Sequence, residues 1–369
     1  MDATISAGGR AVSGRAKLIE AHREAAAFYR RALLSKPGWP VEYLRARRLD
    51  HVLAWNSSWP VGYAPDAWSG LIDHLRRKGF DDKVMLDAGL AKVTHNGYVI
   101  DQFKDRLMFV AHDRAADGVG FVGRGRGQLV RYLNTPTTPI YEKSKTLVGL
   151  GEQRKLLTRG GIPVLVEGPT DALAVDRISR LTRCGWAGIA VAGTRLSVEQ
   201  SNLLKHNATS DIVIVATDGD AAGRSAAIRW LGPLSATFRE VLCAELPAGH
   251  DPSSLFASEY GADRLSRALS FARPLVDVAI DTELSRWSRV LDHISGRVSA
   301  LRAVLPLVTK MPKDRVAAEV IRLSRLLQLD EQTVSRELLT AVSAVSRHRA
   351  QAVTASPNAV DHPPPSPDL

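Results

Sequence analysis

Residues 213–224 read VIVATDGDAAGR. An apolar run ends in two aspartates around one glycine, Asp218-Gly219-Asp220, and small residues follow at once. Asp-Gly is a favoured turn pair, so the bland reading of the triplet is a turn. Its surroundings argue for more. From residue 162 to residue 256, short apolar runs alternate with helical patterns. IPVLVEG precedes TDALAVDRISRL, AGIAVAG precedes SVEQSNLLK, DIVIVATD precedes AAGRSAAIRWL, and EVLCAELP closes the series. That alternation predicts an α/β fold, a parallel sheet with helices on both faces. Ser197 and Gln200 fit a capping box at the start of the second helix.

Open parallel sheets bind ligands at the carboxyl ends of their strands. At those ends this sequence places Glu167, then Asp171 in the first turn of the next helix, then Asp218 and Asp220, and Asp251 in the loop after the fourth strand. Singly, each has an ordinary role. Asp171 suits a helix dipole, Asp251 suits an N-cap before PSSLF, and Glu167 can face solvent. Together they crowd negative charge along one edge, which is costly unless a cation neutralises it. Hard carboxylate oxygens suit Mg²⁺ or Mn²⁺, ions that also bind phosphates. Gly168, Gly219 and Gly223 leave room for close approach. The pattern points to metal-assisted phosphoryl chemistry.

Working outward, the chain has 369 residues, 45% of them apolar, enough for two or three domains with a sizeable core. Lys and Arg number 49 against 39 Asp and Glu, a formal charge of +10 that suits a polyanionic partner, nucleic acid first. Cys184 and Cys243 lack the spacing of a zinc site or a disulfide framework and read as inert core residues. No zinc is expected. The absence of a signal-like segment or a long apolar run predicts a cytoplasmic protein with no membrane association.

Residues 1–15 are expected to be disordered, and helices are expected at 16–34, 41–47, 66–78 and 81–88. YVIDQFKDRLMFVAHD and GVGFVGRG read as strands around an Asp117-Gly118 turn. Residues 265–347 carry three- and four-residue apolar spacing and read as all-helical, and the Pro-rich tail from 348 to 369 as disordered. Residues 104–159 carry Lys104, Arg106, Arg124, Arg126, Arg131, Lys143 and Lys145, groups suited to template and triphosphate phosphates.

VLVEGPTDALAV followed by IVIVATDGDAAGRSAA resembles the Toprim module shared by bacterial DnaG-type primases, topoisomerases and some nucleases. VGYAPDAW, LIDHLRRKGF, MLDAGL, DQFKDRLMFVAHD, GVGFVGRG and RYLNTPTTPIYEKSKTLVGL, in that order upstream, are similar to the catalytic core of the DnaG-type primases and to nothing in topoisomerases. The resemblance covers roughly residues 20–260. It implies an α+β amino-terminal subdomain over 16–150, a Toprim domain over 151–262 and a helical subdomain over 263–347. It makes Glu167, Asp218 and Asp220 the catalytic metal-binding acids, with Asp171 and Asp251 as further metal ligands. Arg124, Arg131 and Lys143 fall on the family's basic ridge. Asn134 lies in its YLN motif beside Tyr132, with Lys104, Arg106 and Lys145 as further nucleotide or nucleic-acid contacts.

The activity implied is synthesis of short RNA primers on single-stranded DNA by transfer from ribonucleoside triphosphates, with two Mg²⁺ or Mn²⁺ ions. Three departures from the family pattern bear on it. Its zinc-binding and helicase-binding modules are not expected in this chain, so a replicative helicase or a separate zinc-module protein becomes an expected partner. Ala248 and Ser253 stand where the family commonly has Asp. The alternatives are a Toprim-type nuclease using the same acids on water, and a nucleic-acid-binding descendant without catalysis.

Overall fold

A computed structural model of the chain describes residues 5–35, 38–127, 130–311 and 313–354. It divides into two compact units, Met1–Leu275 and Val276–Leu369. In the first, α1 (Ile5–Ser35), α2 (Trp39–Ala46), β1 (Gly62–Ala64), α3 (Gly70–Arg77), α4 (Asp82–Asp87), β2 (Ala91–Val93) and β3 (Val99–Asp101) lead into a hairpin of β4 (Arg106–His112) and β5 (Gly118–Gly125). Then come β6 (Tyr132–Asn134), β7 (Leu147–Val148) and α5 (Leu150–Leu157). The alternating series follows: β8 (Ile162–Val166), α6 (Pro169–Thr182), β9 (Trp186–Ala190), α7 (Val198–Asn207), β10 (Ile212–Val215), α8 (Ala221–Ser235) and β11 (Glu240–Cys243). α9 (Pro252–Ala257), α10 (Gly261–Ser270) and β12 (Arg273–Pro274) close the unit.

One ten-stranded sheet runs through it in the order β12-β11-β10-β8-β9-β7-β4-β5-β6, with β1 also paired to β4. β8, β9, β10 and β11 are mutually parallel, as the alternation predicts. β4, β5, β6 and β7 join antiparallel. β8 lies at the switch point: the connection after it leads to β9 on one side, and the connection after β10 leads to β11 on the other. A crevice therefore opens between the carboxyl ends of β8 and β10, where Glu167 and the Asp218–Asp220 turn stand.

Apolar spacing explains why α1 covers this sheet. Leu18, Ala21, Ala25, Tyr29 and Leu33 recur every three or four residues and are all buried. Four of them pack with Leu71, Phe103 and Phe121 in one core cluster. A second cluster centres on Phe109, Val164, Leu173 and Ile214 beneath α6. Buried Asp176 of α6 is held by Gln153 at 2.7 Å and by Arg180 at 2.8 Å.

The second unit is helical. Its described residues hold all but the first residue of α11 (Leu275–Arg286), then α12 (Ile294–Val308), α13 (Lys313–Leu327) and α14 (Glu331–Thr354). Leu301, Val304, Leu305, Leu323, Leu327 and Val334 are among its buried positions. Arg322 ties α13 to α11 through Asp281 at 2.8 Å while also bonding Glu319.

Several expectations are corrected. The opening stretch is helical from Ile5, and residues 1–4 lie outside the described residues. Likewise 348–354 continue α14, and the remainder of the expected disordered tail, 355–369, lies outside them. The first compact unit runs to Leu275, because α10 packs on α9 and β12 pairs with β11. YVIDQFKDRLMFVAHD is two strands, separated by residues 102–105, the last of which, Asp105, has a φ of 48°. The β4–β5 turn is not set by Asp117-Gly118. Asp113 sets it, its Oδ1 accepting the backbone N–H groups of Ala115 and Asp117 at 3.0 and 3.1 Å. Cys184 is exposed and only Cys243 is buried, since the loop after α6 carries Cys184 to the surface. The Ser197–Gln200 capping box is present as read. No helix among the described residues is long and apolar enough to cross a membrane.

Candidate active site

The ends of β8 and β10 place four of the acids, and Asp251 is the N-cap of α9. β8 stops at Val166, and the carbonyl of Glu167 accepts the Ala192 N–H at 3.0 Å, extending the parallel register by one residue. Gly168 caps α6, Pro169 starts it, and Asp171 sits in its first turn. β10 gives way to Thr217 and the Asp218-Gly219-Asp220 turn, pinned by a 2.9 Å bond from Gly219 N–H to the His250 carbonyl. Two glycines in this turn have no room for a side chain. A Cβ on Gly219 would lie 2.2 Å from the Pro247 oxygen, and one on Gly223 would lie 2.1 Å from the Asp218 oxygen. Asp220 caps α8, its Oδ1 accepting Gly223 N–H at 2.7 Å.

Glu167, Asp171, Asp218 and Asp251 line one cleft of about 370 Å³, faced by Arg124, Arg131, Asn134 and Lys143. Asp220 stands at its margin, exposed to solvent. The electrostatics are those of uncompensated acids. Burial raises the Glu167 carboxyl above its ordinary value, and Asp218 and Asp220 add to the shift. Burial, then Asp251 and Asp220, raise Asp218, while Arg131 and Arg47 oppose them. Asp171, 5% exposed, is pushed up to about 7, first by burial and then by Asp251. Asp251 goes the other way. Burial would raise it, but the Ser254 N–H and Arg47 outweigh burial and hold it low.

The shift at Asp171 fixes a pH dependence. Unfolded, its carboxyl ionises near ~3.9; folded, it holds its proton up to about 7. Stability from this group is complete below about pH 4 and is lost as pH rises through 7. Asp171→Asn keeps an acceptor for the Ser253 N–H, now 3.1 Å from Asp171 Oδ1. It should stabilise the metal-free chain at pH 8 by on the order of 2 kcal/mol and leave it unchanged at pH 4. Denaturant unfolding in a chelator at both pH values checks this; an equal effect at both would contradict it.

Arg47, at the C-cap of α2, is a site residue that the sequence reading did not single out. Its Nη1 donates to Asp251 Oδ1 at 3.1 Å and to Ser253 Oγ at 2.5 Å. Ser253 in turn donates its hydroxyl to Asp251 at 2.9 Å and its backbone N–H to Asp171. Where the resemblance expects a further carboxylate, this serine knits two acids together. Tyr43 is a second addition. The Arg124 guanidinium lies 4.4 Å from its ring centroid and 5.4 Å from that of Tyr132. Arg124 also donates to the Tyr132 hydroxyl at 2.8 Å, and that hydroxyl lies 3.3 Å from Thr170 Oγ1. Tyr132 is thus a half-buried brace between β6 and α6, its hydroxyl pushed up to about 12 by burial. The buried Oδ1 of Asn134, on the cleft wall, bonds no protein group.

Three expected contacts are not brought to this cleft. Lys104 lies 3.8 Å over the Trp68 ring and pairs with Asp66 at 3.1 Å. Arg106 is 7% exposed and donates to the carbonyls of Gly123 and Val130 at 3.2 and 3.1 Å, so it braces β4 against β5 and the chain beyond it. Lys145 pairs with Glu142 at 2.6 Å and lines a separate depression with Arg114. Among the described residues, no three His, Cys, Asp or Glu side chains converge into a ready-made metal cage. The donor chemistry still fits a hard divalent cation. Glu167 and Asp218 repel one another and are partly buried, a strain that such an ion relieves while water or phosphate completes its shell.

Comparison with known proteins shows what the chain resembles. Residues 28–154 match the family model described as the DNA primase catalytic core, N-terminal domain, and residues 164–256 match the Toprim-like model. A DNA primase of Streptomyces coelicolor is 33% identical over 331 residues, 88% of this chain and 50% of the relative. The chain thus spans about half the length of the curated relatives it matches. A DNA primase domain from Pseudomonas aeruginosa superposes with a TM-score of 0.71 at 30% identity, over 87% of this chain and 99% of that domain. A DnaG primase catalytic domain bound to single-stranded DNA gives 0.70 at 25% identity, over 87% and 99% of the two chains.

Proposed function

The chain belongs to the family of DnaG-type DNA primase catalytic cores, and on that premise we propose that it synthesises short RNA primers on single-stranded DNA. The observation that carries this reading is the cleft itself, with paired acids at the β8–β10 switch point facing Arg124, Arg131 and Lys143. Glu167, Asp218 and Asp220 would hold Mg²⁺ or Mn²⁺, joined by Asp251 and Asp171 once Arg47 and the Ser253 N–H give them up. Two such ions, when bound, supply the positive charge that stabilises the attacking and leaving oxygens of a nucleotidyl transfer.

The chain's own groups do the rest. Arg131 and Lys143 take triphosphate or template phosphates at the rim. Arg124, stacked between Tyr43 and Tyr132, is a pre-oriented phosphate donor. Asn134 Oδ1 offers an unused acceptor to a hydroxyl or amino group of the nucleotide. Arg47 keeps Asp251 charged and in place until a cation competes for it. A cytoplasmic setting, and a replicative helicase or a separate zinc-module protein as partner, complete the reading.

The test is extension of a preformed RNA primer on a DNA template, alongside binding of single-stranded DNA across a salt series. Arg124→Ala with Lys143→Ala should weaken binding and lower the salt slope by about 1.4, two phosphate contacts at ~0.7 each. Extension should fall with it. An unchanged slope and unchanged extension would place the binding surface elsewhere.

A further inference from the structure

α10 buries Leu265 and Leu269 and turns its opposite face outward. On that face stand Tyr260 at the N-cap, Arg264, Arg267 and Phe271 at the C-cap. Their spacing of four, three and four residues places them in one stripe. Tyr260 is 73% exposed and Phe271 79% exposed. Neither guanidinium is paired with an acid among the described residues. Single exposed rings are ordinary on a protein surface. Two rings framing two unpaired arginines along one helix face make the combination that grips a nucleic-acid strand, cations for phosphates and rings for bases.

The stripe lies beside the acids. Glu245 and Pro247, just past β11, wall a depression of about 370 Å³ together with Arg264, Arg267 and Phe271. Pro247 is also the residue whose carbonyl backs Gly219 in the acidic turn. In the sheet order, the acids following β8 and β10 come between the basic rim on β5 and β6 and the β11 side that α10 adjoins. At ~4.8 Å between strands, β11 is about 10 Å from β8. The stripe itself spans about 16 Å at 1.5 Å per residue, or about five nucleotides at 3.4 Å each.

We propose that the outer face of α10 is a second contact for the single-stranded DNA template, with phosphates on Arg264 and Arg267 and bases stacked on Tyr260 and Phe271. This rests on the reading of the acidic edge as the site of primer synthesis. The template would then be held on both sides of the acids, by the β5–β6 rim on one and by α10 on the other.

The test uses the full chain and fluorescent oligo-dT of about 6 and about 20 nucleotides, lengths below and above the span of both contacts. The wild-type chain should bind the long oligomer more tightly. Tyr260→Ala with Phe271→Ala should weaken long-oligomer binding about 30-fold or more, the loss of two stacked bases, and leave the short one unchanged. Arg264→Ala with Arg267→Ala should lower the salt slope for the long oligomer by about 1.4, while lysine at both positions preserves it. Arg124→Ala with Lys143→Ala should weaken both lengths, which separates a failure at α10 from a failure of the main site. Unchanged long-oligomer affinity and slope in the α10 variants would overturn the proposal. So would equal losses at both lengths, or a loss confined to a protein ligand with DNA binding intact.

Discussion

Asp218→Ala will cut templated RNA synthesis roughly 10³-fold, the several kcal/mol of charge stabilisation that a misplaced cation no longer supplies. The fold will survive. Asp218 is half-buried beside Asp251 and Asp220, and burial together with their charge already disfavours its ionised form. Removing it relieves that repulsion, so the metal-free variant should unfold at the same temperature as the wild type or a higher one. Asp220→Ala should lose activity similarly but cost about 1 kcal/mol of stability, because that side chain also caps α8. Product yield and thermal unfolding, measured on the same preparations, separate the two roles. Wild-type turnover in Asp218→Ala would remove this residue from the chemistry.

Gly223→Ala will lower synthesis about 100-fold without touching a charge. Its new methyl would sit 2.1 Å from the Asp218 carbonyl oxygen and 2.8 Å from that residue's backbone nitrogen. Those atoms are main chain, so either the turn or the start of α8 must shift, moving the Asp218 and Asp220 carboxylates with it. Overpacking of this kind also costs about 1–3 kcal/mol. Gly14→Ala in α1 is the matched comparison: nothing lies within 4 Å of its Cβ, and helix propensity alone should raise stability by about 0.5–1 kcal/mol. Equal activity in Gly223→Ala and the wild type would show that the turn tolerates displacement.

The parallel half of the sheet was legible because apolar runs and helical patterns alternate there without interruption, and strand direction then carries every acid to one edge. The family resemblance supplied the basic rim at Arg124, Arg131 and Lys143. What escaped were contacts made over long stretches of chain. Arg47 meets Asp251 across 204 residues, and no local pattern distinguishes it from Arg45 or Arg48. Arg106 falls among the expected phosphate binders because a basic residue at the head of a strand looks alike in either role. In the fold its guanidinium turns to the Gly123 and Val130 carbonyls and does not line the cleft. Lys104 and Lys145 were indistinguishable from Lys143 by composition, and each is drawn away by an acid, Asp66 or Glu142, placed by the fold. Ser253 looked like a weakened acid, and its hydroxyl and N–H become visible as a brace only once α9 and α6 are side by side.

The proposed activity of this acidic edge is RNA synthesis. The direct measurement combines the chain, single-stranded DNA, labelled ribonucleoside triphosphates and Mg²⁺ or Mn²⁺, with the products resolved by length. Short RNA should appear only with template and divalent cation and be absent with Asp218→Ala. Cleavage of the DNA without RNA synthesis, or no reaction with either ion even on a preformed RNA primer, would contradict the proposed activity.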